Sequence, residues 1–273
     1  MYATKNNKDL GYLELSNRCL YYIFQMVRYI PIIKRVYPSL LKRWAMLTWT
    51  GGYKVKRYKG FYLLLNCRNS LDRKIGLHGG HEQEQFAYFF FNMKKGCDVF
   101  LDIGANIGTY SLQAAQLGVA REIHAFEPDP RNHAQLQANL YLNQVTERIQ
   151  VHKLALSDKS GMLQFELGIE GKPDLTKVAS AGGGPTKAIM AKALDEVVSY
   201  QGKKIFLKID TEGHEFEVLK GAEQLLKNNA CFLQVEAWPV NAVIVAKELT
   251  DLGYACTHTI HNDHYFSVAE KSV

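Results

Sequence analysis

Short apolar runs that end beside an acidic residue recur through the last two thirds of the chain. They cover residues 99–103, 123–126, 149–156, 205–209 and 231–235. Unbroken runs of this length, rich in β-branched and aromatic side chains, are typical of strands buried on both faces of a parallel sheet. Stretches of helical periodicity separate most of them, and two alternating segments near the end of the chain predict a closing hairpin. The pattern predicts an α/β fold with a doubly wound, mostly parallel sheet that has one antiparallel edge.

A glycine-containing turn follows the first of these predicted strands. Asp102 lies at the end of the strand, Gly104 and Gly108 flank Asn106, and a helical pattern begins at Thr109. Glycine lets the backbone turn tightly and approach a ligand closely, and the free N–H groups at the start of the helix face the same point. The arrangement predicts a cradle for a nucleotide-containing cofactor, although an ordinary strand-to-helix turn of an α/β domain has the same pattern.

Two residues distinguish between the cofactors that such a turn can hold. In the dinucleotide-binding fingerprint the middle glycine lets the backbone approach a pyrophosphate, whereas this chain has Asn106 at that position. Asp102 would repel a pyrophosphate, but it complements the ammonium and sulfonium groups of S-adenosylmethionine. We therefore predict S-adenosylmethionine as the cofactor. A nicotinamide-dependent oxidoreductase is the alternative that Asn106 disfavours.

The next two strand ends also present acids. Glu127 ends the second strand, 19 residues beyond Gly108, where it can accept hydrogen bonds from both ribose hydroxyls of an adenosine that lies across the strand ends. Asp158 follows the third strand and can accept a hydrogen bond from an adenine amino group. The surrounding Ser-Asp-Lys-Ser-Gly segment also favours a turn, so the assignment of Asp158 is less specific.

A second polar cluster follows the strand at residues 205–209. Asp210, Glu212, His214 and Glu215 lie within six positions. Because ligands bind at the carboxyl ends of strands in open α/β sheets, this cluster is expected to face the reactive atom of the cofactor. Glu215 begins a predicted helix, so one of these acids is expected only to cap that helix.

The segment before the sheet predicts an extension of a different kind. Residues 1–52 are expected to form a basic and aromatic helical extension, and residues 53–273 the main domain. That domain would begin with a hairpin at residues 53–65 and an aromatic helix at residues 81–91, which serves as a packing face or a lid. Residues 20–47 are too short and too charged to span a bilayer. They predict helices packed against protein, or a peripheral contact with an anionic membrane surface.

Composition narrows the class of protein. The 273 residues suit one large α/β domain with an extension, and 33 Lys and Arg against 27 Asp and Glu give too small a basic surplus for a nucleic-acid binder. Five scattered cysteines indicate neither a disulfide framework nor a zinc site. The beginning of the chain lacks the features of a signal peptide, so a cytoplasmic location is expected. Nothing here indicates the oligomeric state.

Several motifs together carry a resemblance to a known family. They are Phe100-Leu101-Asp102-Ile103-Gly104-Ala105-Asn106-Ile107-Gly108, Phe126-Glu127-Pro128, Ala155-Leu156-Ser157-Asp158, Leu194-Asp195 and Lys208-Ile209-Asp210-Thr211-Glu212-Gly213-His214-Glu215. With these residues the chain resembles the FkbM-type S-adenosylmethionine-dependent methyltransferases over residues 53–268. The resemblance implies the seven-stranded, Rossmann-like class I methyltransferase fold and O-methylation of hydroxyls on saccharides or other small molecules.

The resemblance also implies roles for the candidate site residues. Asp102, Gly104 and Gly108, with Asn106 in the same turn, would hold the methionine end of the cofactor, Glu127 the ribose and Asp158 the adenine. Asp210 would lie nearest the sulfonium and the acceptor. Histidine exchanges protons near neutral pH, which makes His214 suitable as the general base, whereas Asp210 or Glu212 is suited by position. Two of these acids and the histidine could also hold a divalent metal that acidifies the hydroxyl, but their spacing is not a metal-binding pattern, so no metal is predicted.

The leading prediction is therefore a cytoplasmic S-adenosylmethionine-dependent O-methyltransferase that acts on a glycan or another small-molecule acceptor. A non-enzyme alternative is a catalytically weak methyltransferase fold that acts as a scaffold at a membrane surface through residues 20–47. The presence of Asp102, Glu127 and Asp210 argues against a loss of catalytic activity.

Overall fold

The structure is a computed structural model that describes residues 39–40, 43–80, 82–166, 177–178 and 186–269. Most of the segment 20–47 lies outside these described residues. The chain divides into two compact units, Met1–Lys56 with Leu65–His81, and Arg57–Leu64 with Glu82–Val273. The predicted boundary between residues 52 and 53 stays a prediction.

Strands and helices alternate through the described ranges. The strands are β1 (Tyr53–Tyr58), β2 (Phe61–Asn66), β3 (Val99–Ile103), β4 (Glu122–Phe126), β5 (Gln150–His152), β6 (Ala155–Leu156), β7 (Gly161–Glu166), β8 (Lys177–Val178), β9 (Thr186–Lys192), β10 (Lys204–Ile209), β11 (Ala230–Glu236), β12 (Tyr254–Ile260) and β13 (Asp263–Val268). The α-helices are α1 (Ser70–His78), α2 (Gln83–Met93), α3 (Thr109–Leu117), α4 (Pro130–Leu142), α5 (Glu215–Lys220), α6 (Glu223–Asn228) and α7 (Pro239–Asp251). Short 3-10 helices cover Thr50–Gly52, Thr146–Arg148 and Leu194–Glu196.

The first unit contains α1 among its described residues. The side chain of Asn69 caps α1 by accepting a hydrogen bond from the backbone N–H of Leu71. The Lys56 amino group donates to the carbonyl oxygens of Ile75 and Gly76, each at 3.0 Å. These bonds fall in the last turn of α1, where the Ile75 carbonyl oxygen also accepts from the N–H of the C-cap residue Gly79.

The main sheet of the second unit confirms the predicted fold class. It has seven strands in the order β12-β13-β11-β10-β3-β4-β5. The pairs from β11 through β10, β3 and β4 to β5 are parallel, and β13 is antiparallel to both β11 and β12. The hairpin predicted at the start of the main domain is also present as β1 and β2. Its turn residues Lys59 and Gly60 both have positive φ, which suits a tight two-residue connection.

Two elements differ from the sequence-based expectation. The third strand, expected over residues 149–156, is divided into β5 in the main sheet and β6 in a separate sheet of order β6-β9-β7-β8. The helix expected over residues 215–226 is divided into α5 and α6 near Gly221. A Cβ atom at Gly221 would lie 2.0 Å from the carbonyl oxygen of Ser157. The backbone therefore passes too close to the residue after β6 for a larger side chain there.

Alternation along the central strands separates an apolar face from a mixed one. The apolar face carries fully buried aliphatic side chains: Leu101, Ile103, Leu207, Ile209, Leu233 and Val235. On the other face, Phe89 of α2 packs against Phe100, Phe206 and Phe232, with ring centroids 5.6, 5.7 and 6.1 Å apart. The aromatic stripe of α2 is thus a packing face, as predicted, and it covers the half of the strands that precedes their carboxyl ends.

Asn139 of α4 joins two segments near the glycine turn. It is fully buried, its Oδ1 accepts from the N–H of Leu64 at 2.7 Å, and its Nδ2 donates to the carbonyl oxygen of Ile107 at 2.9 Å. None of the helices within the described ranges has the length and apolarity that crossing a bilayer requires.

Candidate functional site

The glycine turn brings the ends of β3 and β10 into direct backbone contact. Gly104 has φ +79°, and a Cβ atom there would lie 1.8 Å from the carbonyl oxygen of Asp210. The N–H of Asp210 in turn donates to the carbonyl oxygen of Ile103 at 3.0 Å. Only glycine fits this approach, because the left-handed backbone and the missing Cβ are both required. The two polar segments predicted from sequence therefore meet at Gly104.

Asp102 lies beneath this turn with one carboxylate oxygen in use. Its Oδ2 accepts from the backbone N–H and the hydroxyl of Ser111, at 3.0 and 2.6 Å. Its Oδ1 is buried and accepts no hydrogen bond from the described residues. Burial raises the pKa of Asp102, and the positive charge of Lys208 partly opposes that rise. A buried acceptor without a donor is costly, and a cationic ligand group would remove that cost.

The carboxylate of Glu127 is held by two backbone N–H groups, one in the glycine turn and one after the end of β4. Its Oε2 accepts from the N–H of Asn106 and its Oε1 from the N–H of Asp129, each at 2.8 Å. Burial raises the pKa of Glu127 to about 8. Asn106 itself has φ +51°, which asparagine tolerates better than most residues. Its Oδ1 is buried, with no hydrogen-bond partner among the described residues.

A cleft opens at the carboxyl ends of β3, β4 and β10, with about 640 Å³ of space including the part that is open to solvent. Its polar lining includes Asn106, Glu127, Asn132, Asp210, Glu212 and His214. Its apolar lining includes Phe126, Leu154, Leu156 and Phe165. A lining with both polar and apolar groups suits a ligand that has both a charged part and a ring.

The loop before α5 is held in shape by Glu215. This buried carboxylate accepts from the backbone N–H and hydroxyl of Thr211 and from the N–H of Gly213, all at 3.0 Å. Glu215 is therefore the acid of this cluster that serves the helix start. Glu212, between those residues, has φ +56°, a conformation that is uncommon for a non-glycine residue and is found more often at functional sites.

His214 lines the cleft with both ring nitrogens in contact with protein groups. Nε2 lies 2.9 Å from the hydroxyl of Ser157, and Nδ1 lies 3.4 Å from Glu217 Oε2. Ser157 also donates to Asp158 at 3.1 Å. A histidine that is oriented by a hydroxyl on one side and a carboxylate on the other can accept and return a proton with little movement.

Three of the predicted cofactor residues do not line the cleft: Asp102, which is buried in β3, Gly108 and Asp158. Asp158 is exposed, lies 3.9 Å from the amino group of Lys159, and is not among the residues that line the cleft. Gly108 precedes α3 with φ +86°, and a Cβ atom there would lie 2.2 Å from Leu136. Its small size is needed for the packing of the turn against α4.

Comparison with known proteins identifies the domain. The family model described as the methyltransferase FkbM domain matches residues 102–256, more than half of the chain. The chain belongs to the FkbM methyltransferase family. It is 31% identical over 155 residues to the hexuronic acid methyltransferase AglP of Haloferax volcanii, an alignment that covers 57% of this chain and 61% of that protein.

Two further similarities involve FkbM proteins of other organisms. The chain is 30% identical over 157 residues to the 31-O-demethyl-FK506 methyltransferase FkbM of Streptomyces tacrolimicus, covering 46% of this chain and 60% of that protein. A crystal structure of an FkbM methyltransferase from Methylobacillus flagellatus KT superposes with a TM-score of 0.45 at 20% identity, covering 63% of this chain and 44% of that one. The chain thus spans about three fifths of the length of the two curated relatives, AglP of Haloferax volcanii and FkbM of Streptomyces tacrolimicus.

The FkbM domain contains a polar row on the mixed face of its sheet, in which Asp102 is the member that was assigned a role from sequence. Strand pairing aligns Asp102 with Lys208, Lys208 with Gln234 and Gln234 with Tyr265. Lys208 is buried, and its Nζ donates to Asp210 Oδ2 at 2.8 Å. Burial alone would lower the pKa of Lys208, but the charge of Asp210 and of neighbouring acids raises it well above its usual value. Lys208 and Asp210 are two residues apart, and this spacing is the sequence feature from which their position on one face of the strand could have been predicted.

A second row follows at the carboxyl edge of the same face. Asp210 and Glu236 succeed the paired residues Ile209 and Val235, and Glu236 is paired with Asp263. Asp263 accepts hydrogen bonds from Gln234 Nε2 at 2.7 Å and from Gln85 Nε2 at 3.3 Å. Within the described ranges, no group of three His, Cys, Asp or Glu side chains has a geometry that could hold a metal ion.

Proposed function

We propose that this protein is an S-adenosylmethionine-dependent methyltransferase that methylates a hydroxyl oxygen of a saccharide or another small molecule. One observation carries the proposal: in an FkbM domain, buried Asp102 lies two residues before Gly104 and has one carboxylate oxygen without a hydrogen-bond partner among the described residues. An anionic acceptor at a glycine turn fits an ammonium group better than a phosphate. The acids at the strand ends thus favour a cationic nucleoside over a dinucleotide.

The cofactor, when bound, supplies an electrophilic methyl group on a sulfonium. In this proposal Asp102, Gly104 and Asn106 hold its methionine part, Glu127 its ribose, and Asp210 the region of the positive charge. Gly108 supports the turn by packing, and Asp158 would reach the adenine only if the loop after β6 moved. Asp210, Glu212 and His214, which line one wall of the cleft, would orient the acceptor and take its proton.

Calorimetric titration tests the cofactor directly. S-adenosylmethionine is expected to bind and NADH is not, because the turn lacks the middle glycine that a pyrophosphate needs. Asp102→Asn is expected to weaken S-adenosylmethionine binding by about 10-fold to 100-fold, since a charge-assisted hydrogen bond is worth about 1.5–3 kcal/mol. Asp251→Asn, at an exposed helix position, serves as the control and is expected to bind as the wild type does. Binding of NADH in preference to S-adenosylmethionine would contradict the proposal.

The relatives suggest where to look for the acceptor. One is named a hexuronic acid methyltransferase and another a 31-O-demethyl-FK506 methyltransferase. We therefore propose hexuronic acid glycosides as the first acceptors to incubate with methyl-labelled S-adenosylmethionine. A label that resists mild alkaline hydrolysis lies on a hydroxyl, as proposed here, whereas a label released by that treatment lies on the carboxyl group.

We further propose a cytoplasmic location with peripheral contact between residues 20–47 and anionic membranes. The support is the combination of Lys34, Arg35, Lys42 and Arg43 with aromatic and aliphatic residues in that segment. The full-length chain is expected to float with vesicles that contain phosphatidylglycerol and to stay behind with pure phosphatidylcholine vesicles. A variant with these four residues changed to glutamate should lose flotation, and flotation equal to that of the wild type would refute the contact.

A further inference from the structure

Glu236 and Asp210 form a carboxyl pair of which Asp210 lines the cleft. They follow neighbouring parallel strands in register, so the two side chains lie next to each other on one face of the sheet. Two neighbouring carboxyl groups repel each other when both are ionised. Asp210 accepts a hydrogen bond from Lys208, which favours its ionised form. Burial and the charge of Asp210 raise the pKa of Glu236, so Glu236 is the member that carries the proton.

We propose that Asp210 and Glu236 act as one proton-exchanging base, which gives up its shared proton when a sulfonium ligand occupies the cleft and then receives the proton of the acceptor hydroxyl. This inference rests on the proposed function and adds Glu236 to the residues that carry out the reaction. Asp210 lines the cleft, so a positive charge there acts on the pair through its ionised member.

The groups around the pair explain why Glu236 is the residue that titrates. The charged groups that interact with Glu236 or with Asp210 are Asp102 of β3, Lys208 of β10 and Asp263 of β13. Tyr110, Tyr265 and Glu82 interact in turn with Lys208. Burial raises the pKa of Asp263 and of Asp102, but hydrogen bonds from two glutamine amides and from Ser111 oppose that rise. Glu236 instead faces another acid, and burial together with Asp210 raises its pKa.

The proton balance of the transfer is complete without further groups. The acceptor oxygen forms a bond to the methyl carbon, and the carbon–sulfur bond breaks with its electron pair on sulfur. The hydroxyl proton passes to the carboxyl pair through Asp210, which lines the cleft, and restores the protonated pair that existed before the cofactor bound. The proton released in the binding step goes to solvent, so each catalytic cycle returns the site to its starting charge.

Calorimetry in buffers of different ionisation enthalpy measures this proton release. At about pH 8, the protein is expected to release more protons on binding S-adenosylmethionine than on binding S-adenosylhomocysteine, which lacks the methyl group and the positive charge. The difference is expected to be roughly half a proton or more per bound ligand. Because protons are released when the ligand binds, a higher pH favours the complex. The affinity for S-adenosylmethionine relative to S-adenosylhomocysteine is therefore expected to rise from about pH 7 to about pH 9.

Glu236→Gln provides the matched variant. Its amide can donate to Asp210 as the protonated acid does, so the fold and binding should persist while the excess release and its pH dependence disappear. Glu223→Gln, in a surface pair with Lys227, should keep both.

The outcomes distinguish a failure of the proposed function from a failure of the proposed role of the carboxyl pair. Failure of both ligands to bind would overturn the proposed function. Binding of both with equal proton release, or excess release that persists in Glu236→Gln, would overturn the role of the pair while leaving the function intact.

Discussion

Replacing Gly104 with alanine is expected to abolish S-adenosylmethionine binding and to lower the free energy of unfolding by more than about 4 kcal/mol. The left-handed backbone at φ +79° costs a residue with a Cβ about 1–2 kcal/mol. The larger part comes from the overlap with Asp210, whose carbonyl oxygen would lie 1.8 Å from the new atom. Because the overlapping atom is backbone, relief requires the end of β10 to move away from β3, which would take Asp210 out of the cleft.

Thermal denaturation and calorimetry measure the two effects, and Gly118→Ala is the control. Gly118 also has positive φ, at +63°, but an added Cβ would meet no atom within 4 Å. Its cost is therefore limited to about 1 kcal/mol of backbone strain. For a unit of this size, the Gly104 variant should melt at least about 8 °C lower than the wild type and the Gly118 variant about 2–4 °C lower. Equal shifts in the two variants would show that the contact with Asp210 is unimportant.

Lys208→Met is expected to destabilise the protein by about 3–5 kcal/mol at pH 8, because it removes the cation from a buried group of acids. Lys208 donates directly to Asp210, and its charge also acts on Asp102, Glu236 and Asp263. Methionine fills a similar volume, so the loss reports the charge rather than a cavity. Urea denaturation of the variant and the wild type measures the difference.

The destabilisation by Lys208→Met should depend on pH in a defined direction. The pKa values of Asp102, Glu236 and Asp263 are already raised in the folded protein, mainly by burial, and loss of Lys208 raises them further. Above the unfolded pKa values of about 4, the folded state then binds more protons than the unfolded state. Stability of the variant should therefore fall as pH rises, and the deficit should be smaller at pH 5 than at pH 8.

Lys227→Met is the matched control for this experiment. Lys227 forms a pair with Glu223 one helical turn away, and solvent screens such exposed pairs so that they contribute little to stability. Its substitution should change stability little at either pH. A deficit in Lys208→Met that is the same at pH 5 and pH 8 would mean that the neighbouring acids do not respond to Lys208.

Much of the fold followed from periodicity. The five apolar runs correctly predicted the central strands, because strands buried on both faces need continuous apolar sequence. The failures have local causes that periodicity does not contain. The apolar segment 149–156 is shared between two sheets, and the helix after Glu215 stops where Gly221 must pass close to Ser157.

Several residues of the candidate site were predicted from sequence, but the contacts between them were not. Sequence placed Asp102, Glu127 and Asp210 at strand ends and correctly expected one acid of the second cluster to serve the helix, which is Glu215. It assigned no role to Lys208 or Glu236, because a lysine or glutamate in a strand is informative only once its neighbours across the sheet are known. Asp158, suggested by the same end-of-strand rule, lies exposed outside the cleft lining.

The amino-acid sequence by itself determined the class of fold, the glycine turn and the strand ends at which polar groups collect, because these depend on spacing within single segments. Only the tertiary structure decided which of those groups meet. The register of β3, β10, β11 and β13 sets Asp102, Lys208, Asp210, Glu236 and Asp263 side by side. Register is a relation between separate segments of the chain, of which β3 and β10 lie more than a hundred residues apart, and the charges and protons of the site follow from that relation.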